Sequence, residues 1–190
     1  CHRFFFSNQS HSRASLSILF FTVLAVAALN FFNLAFLSND LFLYRLYGVL
    51  QHSYGKNPFF FAPKDFLAEQ TLLGAPSTER FSAYGPIALL LFRSAAYFSD
   101  SVRIQILLLK AILAFPYIAA IVFAFGTNKI ENNLKTKLMA WLGLNPLLML
   151  EIVQNAHLEG WISFLLLLAV FALKQNDRYR VFVNGTGTFE

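Results

Sequence analysis

Glu151, Asn155 and Glu159 recur at four-residue intervals, and His157 stands between the last two. On a continuous helix, residues four apart share a face. The spacing therefore predicts a polar stripe in an otherwise apolar segment. Ionisable groups in apolar spans avoid lipid and face a bundle interior or a wet cavity. Two readings follow: a buried glutamate bonded to a neighbouring helix, or the wall of a site open to one side. Asp40 is the other candidate. It follows Ser38 and Asn39 just beyond the first long apolar stretch. Such a cluster can cap a helix, and a carboxylate there can equally serve as a general base. His157 has no second His or Cys at ligand spacing, so it reads as a hydrogen-bonding group. No P-loop, GxSxG elbow or HExxH is present, and Gly185-Thr186-Gly187 is not a dinucleotide loop because no strand and helix flank it.

The composition says what kind of protein must position these residues. Apolar residues make up 57% of the 190, and charged residues only 13%. Soluble domains carry about 25% charged residues, so a membrane protein is the default reading. The lone Cys1 can form no internal disulfide and no zinc pair. The net charge of +5 is scattered, which suits membrane orientation and gives no nucleic-acid surface. The chain begins at Cys1 and ends in a segment that reads as neither a span nor a charged tail, so it is read as part of something longer.

Four spans are expected, at about 15–37, 102–125, 138–155 and 160–173. The first holds no charge and reaches roughly 35 Å, enough for a ~30 Å core. Arg3 and Arg13 before it put the N-terminus in the cytoplasm. Residues 38–101 form a long outer loop, balanced in charge over 38–83, rich in Phe and Tyr, and interrupted by Pro58, Pro63 and Pro76. Within it, 86–98 is a helix too short to cross, which is expected to lie flat at the interface. Pro116 should kink the second span. Lys129, Lys135 and Lys137 then fall in a cytoplasmic loop, and Lys174, Arg178 and Arg180 in a cytoplasmic tail. Asn145-Pro146 marks a break in the third span. The fold class is all-α, a polytopic transmembrane helix bundle in one membrane domain.

A family pattern runs through these segments. Asp40-Leu41-Phe42-Leu43-Tyr44, Gly48, Gly55-Lys56-Asn57-Pro58-Phe59, Pro63 and Tyr84-Gly85-Pro86 resemble the first outer loop of the bacterial polyprenyl-phosphate-mannose-dependent mannosyltransferases. These are integral-membrane glycosyltransferases of the GT-C superfamily. Asn145-Pro146 with Glu151, then Asn155-Ala156-His157-Leu158-Glu159, is similar to a second segment of that family. In two places the chain departs from it. Tyr47 stands where many relatives have an acid, and Glu159 stands where they have Asp. With one acid left in the Asp40 region, no two-acid metal site is assigned. No cofactor is expected.

The resemblance implies transfer of a sugar from a polyprenyl-phosphate donor, with no nucleotide site needed, to a glycan or glycolipid acceptor at the outer face of the membrane. It implies inversion in one displacement, with Asp40 as general base. Tyr44, Arg45, Asn57, Arg80, Tyr84, Glu151, Asn155, His157 and Glu159 become the substrate-binding candidates. Localisation would be the bacterial inner membrane. The chain by itself is expected to be inactive, because relatives close the donor groove with further spans. The competing reading is a non-enzymatic transporter or lipid-carrier protein, whose sign would be an inverted repeat.

Overall fold

The computed structural model describes residues 13–33, 39–66, 68, 78–127 and 130–175. All regular structure among the described residues is helical. In chain order the helices are α1 (Arg13–Phe32), α2 (Asp40–Ser53), α3 (Pro86–Phe98), α4 (Val102–Gly126), α5 (Asn132–Gly143), α6 (Pro146–Gln154) and α7 (Glu159–Gln175). Residues 34–37 of the first expected span, Lys129, and the tail with Arg178 and Arg180 lie outside the described residues. Most of α1 and all of α4 are long and apolar enough to cross a membrane, and α5 with α6 makes a third candidate bent by 54°. These helices mark a membrane protein. The 17 residues of α7 reach about 25 Å.

The stretch 38–83 is not the continuous loop that its prolines and aromatics suggest. Its first part is α2, whose Leu41, Leu43, Tyr44, Leu46, Tyr47 and Leu50 are all buried. This run is apolar on several faces, so it needs neighbours around it rather than one wet side. Helix α3 supplies the largest contact and α4 a second. Gly48 lets α2 and α3 approach closely: a Cβ there would run into the carbonyl of Phe92. Helix α2 closes at Gly55, whose φ of 61° suits glycine. The next N–H, that of Lys56, bonds back to Leu50 O at 3.2 Å.

Three polar devices mend the helices where the sequence damages them. Pro116 in α4 has no N–H to offer the carbonyl of Ile112 one turn back. The indole of Trp161 donates to that carbonyl instead, at 2.8 Å, and ties the start of α7 to this turn of α4. At the α5–α6 break, Asn145 Oδ1 accepts from the N–H groups of Leu147 and Leu148, with Pro146 at the first helical position. On the other side of the break, Tyr117 Oη donates to Leu142 O at 2.7 Å. Lysines do the same at helix ends. Lys110 Nζ donates to Asn33 O just beyond α1, and Lys135 Nζ to Phe125 O near the end of α4. Buried ammonium groups in apolar helices thus meet carbonyls that lack helical partners.

These contacts give the bundle its polarity. The end of α1, the beginning of α2, the first half of α4 and the turn between α6 and α7 gather at one end. Lys135 and the end of α4 lie at the other.

Candidate functional site

The α6–α7 turn does not carry the continuous helical stripe that four-residue spacing predicts. Residues Met149–Gln154 are wound as a π-helix, Asn155 follows it, and Glu159 opens a new helix. Ala156 sits at φ 55°, a left-handed conformation that costs a residue with a Cβ about 1–2 kcal/mol. The N–H of His157 then bonds back to Glu151 O at 3.0 Å. This is the closure used at Gly55, built here with alanine. Strain of this kind gathers at functional turns, and it returns the chain so that Glu151, His157 and Glu159 meet from two helices.

His157 stands at the centre. Its Nε2 lies 3.2 Å from Glu151 Oε2, and its Nδ1 lies 3.6 Å from Glu159 Oε2 and 3.7 Å from Asp40 Oδ2. In the imidazolium form both ring nitrogens would donate, each toward a carboxylate. The ring is largely covered, at 17% exposure, while the Asp40 side chain is 44% exposed. Asp40 is in the first turn of α2 and Glu159 in the first turn of α7. Two helix N-termini, each the positive end of its dipole, thus converge with their carboxylates on one histidine. The helix cap before Asp40 is Asn39, which makes no side-chain capping bond. Among the described residues, no group of three His, Cys, Asp or Glu is arranged to hold a metal ion.

Asp40 also lines a cleft of about 220 Å³, with Asn39, Leu43, Tyr47, Arg80 and Tyr84. Tyr47 is the wall residue that the sequence reading passed over as a site. It lies two turns beyond Asp40 on the same face, which is the signal that would have found it. Its hydroxyl donates to Arg80 O at 3.2 Å and fixes the 80–84 segment over α2. Beneath the cleft, Tyr44 stacks on Phe92 at 4.4 Å between centroids and meets Tyr84 edge-on at 5.0 Å. Burial drives the Tyr44 hydroxyl far above the ordinary phenol range, and its hydrogen bond to Tyr84 adds to that. Burial also raises Tyr84, and pushes Tyr47 up to about 12.

The remaining candidates stand elsewhere. Arg45 is buried and donates from Nε to Gln105 Oε1 at 2.8 Å, while Gln105 Nε2 donates to Ser99 O. Burial lowers its pKa, and its guanidinium joins α2 to the start of α4. Asn57 lines a different pocket, with Lys56 and Arg93. Asn155 is fully buried behind the turn. Of the expected binding residues, Tyr84, Arg80, Tyr44, Glu151, His157 and Glu159 are therefore grouped around Asp40, and Arg45, Asn57 and Asn155 are placed apart.

The sequence profile of the MptA_B family, described as the alpha-(1->6)-mannopyranosyltransferase N-terminal domain, matches residues 6–188. Neither the curated proteins nor the solved structures contain a match to this chain. The match spans nearly the whole sequence, and the chain belongs to this mannosyltransferase family.

Proposed function

We propose that this member of the alpha-(1->6)-mannopyranosyltransferase family moves a mannosyl group from a polyprenyl-phosphate sugar to a hydroxyl of a glycan or glycolipid, at the outer face of the membrane. One observation carries the reading: Asp40 is an exposed carboxylate that shares a cleft with Arg80 and lies 3.7 Å from His157 Nδ1. Asp40 takes the proton from the acceptor hydroxyl. The acceptor oxygen forms a bond to the anomeric carbon from one side. The bond from that carbon to the phosphate oxygen breaks on the other, and the phosphate leaves with the electron pair. The product is inverted at that carbon. Arg80, the cation that lines the Asp40 cleft, is assigned to the charge developing on the phosphate. His157 is a positioning residue that orients the Asp40 carboxylate.

An apolar cavity of about 270 Å³ supports a lipid-linked donor. It includes Gly160, the neighbour of Glu159, and continues along Pro116, Ala120 and Leu142 between α4, α5 and α7. A prenyl chain has the matching chemistry. The outer-face assignment rests on the basic residues Lys135 and Lys137 at the end opposite to Asp40.

Asp40→Asn in the full protein tests the reading. Asparagine keeps the size and most hydrogen bonds but cannot accept the proton. Loss of a general base costs about 10²–10⁴ in rate. Turnover at least about a hundredfold lower, at unchanged protein level, is the expected result. Near-normal turnover would remove Asp40 from the chemistry.

A further inference from the structure

A second pocket lies across the Tyr84–Pro86 turn from the Asp40 cleft: Tyr84 lines one and Pro86 the other. Its volume is about 440 Å³, and Gln51, Lys56, Asn57, Phe59, Leu90 and Arg93 form its walls. Among the described residues, no acidic side chain lines it. Along α2, Gln51 stands roughly 16 Å from Asp40 at 1.5 Å rise per residue. The phosphate displaced from a sugar is one bridging oxygen away from the carbon under attack. A group held beside Gln51 is therefore not the leaving phosphate of the transfer assigned to Asp40.

The two cations are held in different ways. The Lys56 ammonium stands 5.1 Å from the centroids of both Phe61 and Phe66. Two ring faces position the charge without neutralising it. Arg93 is exposed on α3, and its side chain has neither a hydrogen bond nor an ion pair among the described residues. Asn57 accepts the Phe59 N–H through Oδ1, so its amide NH₂ remains as a donor. Around these polar groups the surface is apolar: Ile87, Leu90 and Phe60 are strongly exposed. Two positive charges with no ion pair among the described residues, beside an exposed apolar helix face, match a negatively charged headgroup with acyl chains attached.

We propose that this pocket binds the phosphate of an anionic phospholipid between Lys56 and Arg93, with the acyl chains lying along Ile87 and Leu90. The site is independent of the transfer reaction, and its readout is lipid retention. The full protein is reconstituted in nanodiscs of mixed phosphatidylglycerol and phosphatidylcholine, released into detergent, and weighed by native mass spectrometry. The parent retains phosphatidylglycerol in preference to phosphatidylcholine. One cation near a headgroup is worth about 1 kcal/mol, so Arg93→Gln lowers retention roughly fivefold and Arg93→Gln with Lys56→Gln roughly 25-fold. Arg93 is exposed, so its substitution leaves the fold intact even where Lys56→Gln disturbs the aromatic pair. Arg93→Lys retains the lipid, and Asp40→Asn retains it as the parent does. Equal retention of the two lipids by the parent overturns the proposal, as does unchanged retention in the double variant. Displacement of the lipid by inorganic phosphate alone would make this a free-anion pocket and also overturn it.

Discussion

At the scale of single residues, the proposed mechanism gives His157 and Asp40 separable roles. A positioning residue acts through geometry, and a small misplacement of a reacting group can cost about 10²-fold. His157→Gln should lower kcat about 10–100-fold with little change in the acceptor KM. Loss of acceptor affinity with unchanged kcat would make His157 a binding residue instead. The tyrosines beside the cleft give a pH prediction. Burial raises Tyr47 to about 12, so its neutral form is favoured in the folded state. That contribution is complete below the ordinary phenol value of about 10 and is lost as pH rises through 12. Absorbance titration should therefore show Tyr47 resisting ionisation until the fold opens above about pH 12; the Tyr47→Phe difference spectrum isolates it. Much of this site is legible in one dimension. The acids and His157 stand out because charge is rare in apolar segments. Arg45 misleads for the same reason: its charge marks it, but its partner Gln105 is unremarkable in sequence and only the packing of α2 on α4 brings the two together.

At the scale of elements, two contacts set how the helices meet. Gly48 faces the Phe92 backbone, which cannot turn aside as a side chain would. Gly48→Ala should therefore part α2 from α3 and cost about 1–3 kcal/mol, seen as a lower unfolding temperature in detergent. An unchanged temperature would mean that the helices are not held this closely. Trp161→Phe keeps an aromatic ring against Phe115 but leaves Ile112 O without its indole donor, at about 1–3 kcal/mol. Pro116→Ala restores a backbone N–H to that carbonyl. The cost of Trp161→Phe should shrink in the Pro116→Ala background, and simple additivity of the two would sink the account. The polar cluster at Asn39 and Asp40 hints at the start of α2, but its surroundings hide the helix itself. Three prolines and dense aromatics follow, and its own apolar residues cover several faces, so no clean amphipathic period announces it. Helix α3 was easier to find, since Pro86 at its start fixes where it begins. The π-wound end of α6 has no signal in the four-residue spacing, which suggests a continuous stripe where the chain in fact turns.

At the scale of the whole molecule, the proposed sidedness rests on charge. Asn133 is exposed at the start of α5 and Tyr97 is exposed on α3. On a Cys1→Ser background, Tyr97→Cys should react with an impermeant thiol reagent in intact cells. Asn133→Cys should react only after permeabilisation. The reverse pattern would invert the bundle and put Asp40 on the cytoplasmic side. Residues 1–190, made alone, are expected to transfer no sugar. Measured transfer by that purified chain would contradict this.

The contact between Asp40 and His157 also fixes an order in time. Helices α2 and α3 are near neighbours in the chain and can pair soon after they emerge. The α6–α7 turn follows much later. At about 5–20 residues per second of synthesis, roughly 6–25 seconds separate the two partners. During that interval the Asp40 carboxylate stands at its helix end without the imidazole. A ribosome that stalls before His157 would leave a half-made site for longer, already acidic and not yet oriented. Nascent chains halted at that point are the population in which membrane quality control would meet α2 with its N-terminus uncovered.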